Sequence, residues 1–335
     1  MKLGWRGAIG IALSVALLVY ALHDVNFAIV ADTLRRSNIA LFVLSAITVT
    51  LIYPLRARRW RVILDPVAPD LPFGELWRAT AVGMMIGNIV PARAGELARA
   101  YALSTEEPKV SFATAFASIA VDRVFDAVVI LFLLFLAMLD PAFPTGTRIA
   151  DQPVANWAGG GIIALVVMLA ALYALVLFPA RVLTLYELVV RRLAPKLEAR
   201  GRDALLAFAS GLSVLRAPRR FASVLMWTVL HWLCNALAFW IGFRAVGIET
   251  PFSAALFVQG IIAIGVAIPS APGFFGVFEA IAKESLAVYG VGPDLAVAWA
   301  IGFHILSFIP ITVIGAVYFA RLGLKMGDLG SAAER

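Results

Sequence analysis

Long uninterrupted apolar segments dominate the pattern of hydrophobic and polar positions along this chain. Six of them cover about 7–22, 39–55, 113–139, 158–178, 221–243 and 294–320. A helix needs about 20 mostly apolar residues to cross the hydrocarbon core of a bilayer, and each segment approaches or exceeds that length. The pattern therefore predicts six transmembrane helices. The first segment also resembles a signal peptide, but its length and poor cleavage pattern favour a retained helix.

Two further apolar stretches, about 77–103 and 253–288, are interrupted by helix breakers. The first contains Pro91 and Gly95, and the second contains Pro269 and Gly273, each pair in a P-x-x-x-G arrangement. Proline lacks a backbone donor and glycine tolerates non-helical conformations, so both helices should break there. Irregular backbone at membrane depth is stable only inside protein or against a water-filled cavity. We therefore interpret both stretches as re-entrant hairpins.

The order of these segments repeats along the chain. Residues 7–139 give crossing, crossing, hairpin and crossing, and residues 158–320 give the same series. Three crossings in each half place the second half upside down relative to the first. Interrupted helices in two inverted halves indicate a transporter with a binding site near the membrane midplane. We expect the residues around Pro91 and Pro269 to approach each other at that depth.

Composition and charge support a membrane protein. Hydrophobic residues make up 62% of the chain and charged residues 15%, whereas soluble domains carry about 25% charged residues. The net charge of +7 would suit nucleic acid, but nineteen lysines and arginines, Arg56 and Arg59 among them, fall in predicted cytoplasmic segments against four in predicted outer ones. This asymmetry predicts a multi-pass protein of the inner (cytoplasmic) membrane with both termini in the cytoplasm. We expect no nucleic-acid binding.

The segment 181–220 mixes apolar and basic residues, with nine of the basic ones. This composition predicts cytoplasmic amphipathic helices lying on the anionic inner leaflet. An ordinary basic loop, placed by the same orientation rule, explains the segment equally well.

Charged residues inside apolar segments are costly, at about 2.5–3.5 kcal/mol each near the bilayer centre, so they mark either ion pairs or a site. Arg93, Glu96 and Arg99 share one helix face after the first break, and Asp122, Arg123 and Asp126 form a second group. Glu279 and Lys283 follow the second break in a favourable i, i+4 order. Two interpretations stay open for these residues: an ion-pair network that joins the hairpins to the bundle, or a site for substrate.

The helix starts after Pro91 and Gly273 offer free backbone N–H groups, which favour a phosphate, particularly with Arg93 beside them. The neighbouring carboxylates could then face a cationic part of a head group or exchange protons. His231, His304 and Cys234 lie in apolar segments, and we expect them to serve packing. The chain carries no metalloprotease, P-loop, nucleophile-elbow or dinucleotide motif. We therefore expect no enzyme activity, no metal and no cofactor, and transport that is passive or driven by an ion gradient.

Three motifs together resemble the lysylphosphatidylglycerol synthetase transmembrane (flippase-like) family across nearly the whole chain. They are Asn88–Pro91 with Ala94–Glu96, then Asp122–Asp126, then Pro269–Gly276 with Glu279. In bifunctional members of that family this region moves aminoacylated phosphatidylglycerol between leaflets, and a soluble synthetase domain follows. The resemblance implies lipid translocation by a stand-alone membrane domain without the synthetase domain. A separate synthetase enzyme is then a candidate partner, beside the phospholipid or lipid-linked substrate and the membrane.

The sequence thus predicts an all-α integral membrane protein with one transmembrane domain over residues 1–335. Its inverted halves cover about 7–139 and 158–320, and it moves an anionic or aminoacylated phospholipid or lipid-linked head group between leaflets. A membrane-embedded transferase acting on a lipid-linked substrate, or a non-catalytic envelope scaffold, is the alternative. The predicted substrate-binding residues are Asn88, Pro91, Arg93, Gly95, Glu96, Arg99, Asp122, Arg123, Asp126, Pro269, Gly273, Glu279 and Lys283.

Overall fold

The computed structural model describes residues 5–90, 94–144, 178–193, 217–266 and 271–327, with isolated positions between 146 and 206. Its regular secondary structure is helical except for one antiparallel pair of two-residue strands, Arg148–Ile149 with Gln152–Pro153. Pro91, Arg93 and Pro269 lie outside the described residues, so what the sequence predicts for them stays a prediction.

The first half of the chain forms helices α1 to α7. Their bounds are Trp5–Leu22, Phe27–Arg36, Ile39–Thr50, Ile52–Leu64, Phe73–Ile89, Ala94–Glu106 and Phe112–Met138. Side-chain caps fix several of the starts. Asn26, Asn38 and Ser111 accept hydrogen bonds from backbone N–H groups in the first turns of α2, α3 and α7.

The second half forms helices α8 to α12, with a short 3₁₀ turn at Pro272–Phe274 between α10 and α11. The helices cover Pro179–Leu193, Pro218–Ala245, Phe252–Gly265, Val277–Ala287 and Pro293–Arg321. Helices α9 and α12 each begin with a proline, whose missing N–H would be unpaired at that position in any case.

Within the part of the chain that the structure describes, three helical segments are long and apolar enough to cross a membrane: Ile39–Leu64, Pro218–Ala245 and Pro293–Arg321. A fourth span is possible if α1 and α2 form one unit, although the two are bent by 83°. The predicted crossing at 158–178 lies largely outside the described residues. The protein is therefore all-α with several spans, and the count of six crossings and the inverted repeat remain predictions.

Exposed apolar stripes mark the faces of the spanning helices that point away from the protein. Ile305, Ile309, Val313 and Val317 are exposed along α12, and Ile39, Val43, Ile47 and Leu51 are exposed along α3 and its end. Because residues four apart lie on one helix face, each set forms a continuous hydrophobic strip. Such strips suit contact with lipid.

Both interrupted stretches fold as helical hairpins, with α5 packed on α6 and α10 packed on α11. Gly83 and Gly95 let α5 and α6 approach closely: a Cβ added at Gly83 would lie 2.8 Å from the Gly95 carbonyl oxygen. Gly273 instead allows the chain to turn at the second break, because its φ of +66° lies in the left-handed region that favours glycine. The two glycines of the P-x-x-x-G pattern therefore have different structural roles. The 3₁₀ turn also contacts α5.

An aromatic cluster joins α9, α11 and α12 in the interior. Phe239 packs edge-on against Trp299 and Phe303, with ring centroids 5.2 and 4.8 Å apart, and Phe278 stacks on Phe303. This packing fixes the face of α12 that carries His304.

Candidate functional site

A buried cluster of charges lies where α4, α6, α7 and α9 meet. At its centre is Arg59, which is fully buried and lies 2.6 Å from a carboxylate oxygen of both Asp122 and Asp126. Asp122 and Asp126 are four residues apart on α7, so both carboxylates face α4. One guanidinium thus bridges two carboxylates, a geometry that its planar fork of donors suits.

Helix α9 completes the pairing around Asp126. Trp232 donates its indole N–H to the same oxygen that Arg59 contacts, at 2.9 Å, and Arg59 also donates to the Thr228 hydroxyl at 3.2 Å. These contacts pair the inner carboxylates, although Nε of Arg59 has no hydrogen-bond partner among the described residues. Arg59 therefore serves mainly to hold α4 against α7 and α9.

Two other buried arginines are incompletely paired. Arg99 donates from Nη1 to Asp122 at 3.1 Å and stacks over the Trp60 ring, 3.9 Å from its centroid. Among the described residues its Nε and Nη2 have no hydrogen-bond partner. Arg56 lies 3.7 Å from Asp122 and 3.6 Å from Asp126, and its Nε and Nη2 are likewise without a hydrogen bond there. Buried N–H donors without partners are costly, so they indicate a place for an acceptor.

The partly open side of the cluster is formed by Arg123 and Glu96, whose side chains are 36% and 30% exposed. Arg123 lies 3.2 Å from Glu96 and 3.3 Å from Asp126. With these two included, four guanidinium groups face three carboxylates, so the ionised cluster carries one surplus positive charge. An anion reaching it past Arg123 would meet unpaired donors and a favourable net charge.

A second polar group lies beside the second break. Glu279 caps the start of α11 by accepting from the Gly276 N–H at 2.6 Å, and its other oxygen lies 2.6 Å from Nδ1 of His304. Nε2 of His304 lies 2.8 Å from the Gly273 carbonyl oxygen. The sequence predicts a packing role for His304, yet this histidine ties the carboxylate to the break.

The i, i+4 spacing predicts that Lys283 pairs with Glu279, but in the structure Lys283 has other partners. Its amine lies 2.8 Å from Asp24, in the turn between α1 and α2, and 3.8 Å from Glu284. The hydrogen bond from Lys283 lowers the pKa of Asp24 below its ordinary value. Lys283 therefore joins α11 to α1, a role that favours the structural interpretation for this residue.

The structure thus divides the predicted site. Glu96, Arg99, Asp122, Arg123 and Asp126 come together in one cluster, which is compatible with both open interpretations, a substrate site and an ion-pair network. Gly273 and Glu279 belong to the second polar group. Asn88 donates to the Thr312 hydroxyl at 2.8 Å, joining α5 to α12, and Gly95 serves helix packing.

Sequence reasoning misses Arg56 and Arg59, which it counts among the cytoplasmic loop charges. The helix does not end at residue 55 but runs on to Leu64. A signal is present in the sequence, since nothing breaks the helix between Leu55 and Leu64 and the two arginines share a face at i, i+3. His231, in contrast, packs as expected, with Nδ1 3.2 Å from the Ile52 carbonyl oxygen.

Comparison with known proteins identifies the family of this chain. The family model described as the lysylphosphatidylglycerol synthase TM region matches residues 7–315. The chain belongs to this family. The predicted resemblance is confirmed, and with it a multi-pass membrane protein.

Several relatives agree with the family assignment. A UPF0104 membrane protein from Methanothermobacter thermautotrophicus is 24% identical over 342 residues, covering 96% of this chain and 97% of that protein. Another from Methanocaldococcus jannaschii is 21% identical over 309 residues, covering 88% of each. Glycosyltransferase AglD from Haloferax volcanii is 28% identical over 152 residues, which is 45% of this chain and 24% of that protein.

Proposed function

We propose that this protein moves a lipid with an anionic phosphate head group between the two leaflets of a membrane. The observation that supports this most concerns the buried arginines Arg56 and Arg99, whose guanidinium groups each have N–H donors without a partner among the described residues. A phosphate oxygen could accept from both, because guanidinium groups bind phosphate through paired, charge-assisted hydrogen bonds.

The charge balance of the cluster fits such a ligand. The surplus positive charge is neutralised when a phosphate monoanion binds, which offsets the cost of keeping the arginines away from water. The carboxylate of Glu96, on the open side, suits a cationic part of the head group, as in an aminoacylated or zwitterionic lipid. The exposed apolar stripes of α3 and α12 suit the acyl chains.

The proposal extends to placement and partners. We infer one transmembrane domain in the inner (cytoplasmic) membrane with both termini in the cytoplasm, since the excess of basic residues in the predicted inner segments favours that orientation. A lipid made by a separate synthetase enzyme would be its substrate. We propose no catalytic step for this chain. The name of the Haloferax volcanii relative makes a membrane-embedded transferase the alternative.

Transport in vesicles tests the proposal. The purified protein is reconstituted with fluorescent phosphatidylglycerol, and a membrane-impermeant quencher measures how fast the label leaves the inner leaflet. Arg99→Gln keeps Asp122 paired with Arg59 and should fold, yet it removes the surplus charge and two free donors. Losing charge-assisted hydrogen bonds worth about 1.5–3 kcal/mol should slow transport roughly tenfold to a hundredfold at low lipid.

The matched control is Arg78→Gln, because Arg78 pairs with Glu106 between α5 and α6, outside the cluster. Its transport should stay near that of the unaltered protein. Normal transport by a well-folded Arg99→Gln would refute the phosphate role. Chemical change of the lipid would favour the transferase, and neither transport nor product across a panel of lipids would favour a scaffold.

A further inference from the structure

The imidazole of His304 is held between two oxygen acceptors. Nδ1 lies 2.6 Å from Glu279 Oε1, and Nε2 lies 2.8 Å from the Gly273 carbonyl oxygen. The carbonyl can only accept a hydrogen bond, so Nε2 must carry a hydrogen for that contact to be favourable. Neutral histidine has only one N–H, and here that hydrogen is already committed to Nε2.

The contact with Glu279 then requires one more hydrogen. If the histidine is neutral, its bare Nδ1 faces the carboxyl, and a hydrogen bond forms only when Glu279 is protonated. If Glu279 is ionised, the bond forms only when His304 carries a hydrogen on both nitrogens. Either arrangement holds one proton more than an ionised glutamate beside a neutral histidine. The geometry is therefore that of a proton-loaded pair, with a total charge of zero.

Losing that proton must break one contact. The pair then carries one negative charge, and either Nδ1 or Nε2 presents a lone pair to an oxygen. Both groups are buried, with side chains no more than 9% exposed, so water cannot replace the lost bond in place. Release of the proton therefore favours a different position of the ring relative to Gly273 or Glu279.

The hydrogen bond between His304 and the Gly273 carbonyl helps to fix the conformation of the second break. The Gly273 carbonyl belongs to the turn that reverses the chain between α10 and α11, and the same turn is tied to α1 by the Ala271 N–H donating to Ser14 at 2.7 Å. Phe275, also in this segment, stacks on the His304 ring at 4.4 Å. A change at His304 thus acts directly on residues 271–276.

Other charged groups near the pair have partners of their own. Among the described residues, no further titratable group forms an ion pair or hydrogen bond with Glu279 or His304, and α10 carries none. On α5 the charges, Glu75 and Arg78, lie at the end opposite Asn88. The remaining neighbouring groups lie on α1, in the turn after it, on α11 and on α12. They pair with one another or with backbone groups, and they are Tyr20, Asp24, Lys283, Glu284 and Asp294.

We propose that Glu279 and His304 form a binding site for one exchangeable proton, and that its occupancy controls the conformation of the break at residues 271–276. The proton comes from water on one side of the membrane, forms an O–H or N–H bond within the pair, and returns to water when the break rearranges. The transport consequence rests on the proposed function: proton binding would couple lipid movement to a proton gradient, because two ligands that favour different states of one element are linked.

Glu279→Gln is the decisive variant. The amide can donate to the bare Nδ1 while His304 donates from Nε2 to Gly273, and its oxygen can still accept from Gly276. The variant therefore keeps every contact of the loaded pair without a proton to release, and it should fold as well as the unaltered protein. Glu249→Gln is the control, since Glu249 is largely exposed in the loop after α9.

The first measurement needs no lipid transport. Nitrogen-15 spectra of the three histidines, with His304 assigned from a His304→Gln sample, report the hydrogens on each ring nitrogen as pH changes. We expect the His304 nitrogen signals to change with pH in the unaltered protein and in Glu249→Gln, because loss of the shared proton alters the hydrogen bond at Nδ1 whichever group carries it. In Glu279→Gln the signals should stay those of a neutral Nε2–H form over the same range. His304 nitrogen signals that do not change with pH, or that change identically in Glu279→Gln, overturn the proton site.

The second measurement uses vesicles of phosphatidylcholine and phosphatidylglycerol carrying labelled phosphatidylglycerol and a pH gradient. One proton per lipid and a gradient of one pH unit can drive about a tenfold ratio between leaflets. We expect that bias in the unaltered protein and in Glu249→Gln, and none in Glu279→Gln. Transport without any bias overturns coupling and leaves the proposed function intact. A pH-dependent change at His304 that is lost in Glu279→Gln, found without any transport, refutes the proposed function and supports the proton site.

Discussion

Arg59 and Arg56 are neighbours in the charge cluster, yet their contacts predict opposite consequences when each is replaced. Arg59→Gln removes two contacts of 2.6 Å to Asp122 and Asp126. Asp126 keeps the Trp232 indole, while its nearest remaining arginine contacts are 3.3 Å to Arg123 and 3.6 Å to Arg56. Breaking a buried pair in this way costs about 3–5 kcal/mol, because the remaining charges stay buried with fewer partners.

Arg56→Gln should cost much less. The Nε and Nη2 atoms of Arg56 lie beyond hydrogen-bond distance of both carboxylates, and its attraction to them is offset by the cost of keeping its own charge buried. We expect a loss of about 1 kcal/mol or less. Lipid transport should nevertheless fall, since Arg56 supplies two of the free donors.

Thermal unfolding in detergent and transport in vesicles, measured on both variants, separate the two roles. With about 2 °C per kcal/mol for a chain of this size, Arg59→Gln should lower Tm by roughly 6–10 °C and Arg56→Gln by about 2 °C. If Arg56→Gln destabilises the protein as much as Arg59→Gln, the free donors are structural and the phosphate site is wrong. The phosphate site is equally wrong if Arg56→Gln is stable and transports lipid normally.

Three further predictions concern packing, charge and orientation. Gly83→Ala should destabilise the protein by about 1–3 kcal/mol in thermal unfolding, because a Cβ there meets the backbone of α6, whereas Gly292→Ala, with open space around it, should not. Asp24→Asn should remove the ion pair with Lys283. Because the folded pKa of Asp24 is lowered, its stabilisation is present at neutral pH and lost as pH falls, so unfolding of the unaltered protein and of the variant should converge in acid. A cysteine introduced by Arg200→Cys should react with impermeant reagent only from the cytoplasmic side; labelling from outside intact cells would contradict the orientation.

Much of the architecture follows from local pattern. The apolar lengths of α9 and α12 and the two interrupted hairpins can be predicted from sequence because lipid exposure and helix breakers act on consecutive residues. The grouping of Arg99, Asp122 and Asp126 is also predictable, since charges at membrane depth must find one another.

Tertiary partners are harder to predict. The sequence pattern places Arg56 and Arg59 in a cytoplasmic loop. The excess of basic residues in cytoplasmic loops indicates orientation, but it does not determine the residue at which a helix ends. Spacing pairs Glu279 with Lys283, but His304 and Asp24, distant in sequence, offer closer partners. Spacing along one helix cannot rank such competitors, because their proximity depends on how α1, α11 and α12 pack.

The exposed apolar stripe of α12 puts the helix that carries His304 in direct contact with the surrounding bilayer. At 29 residues and about 1.5 Å per residue, α12 is about 43 Å long, which exceeds a hydrocarbon layer of about 30 Å. A helix of that length tilts more in a thin bilayer than in a thick one when its apolar strip stays in contact with lipid. Ile305 is exposed on that strip and is the neighbour of His304 in sequence. We therefore expect the tilt of α12, and with it the contact between His304 and Gly273, to depend on the acyl-chain length of the surrounding lipids.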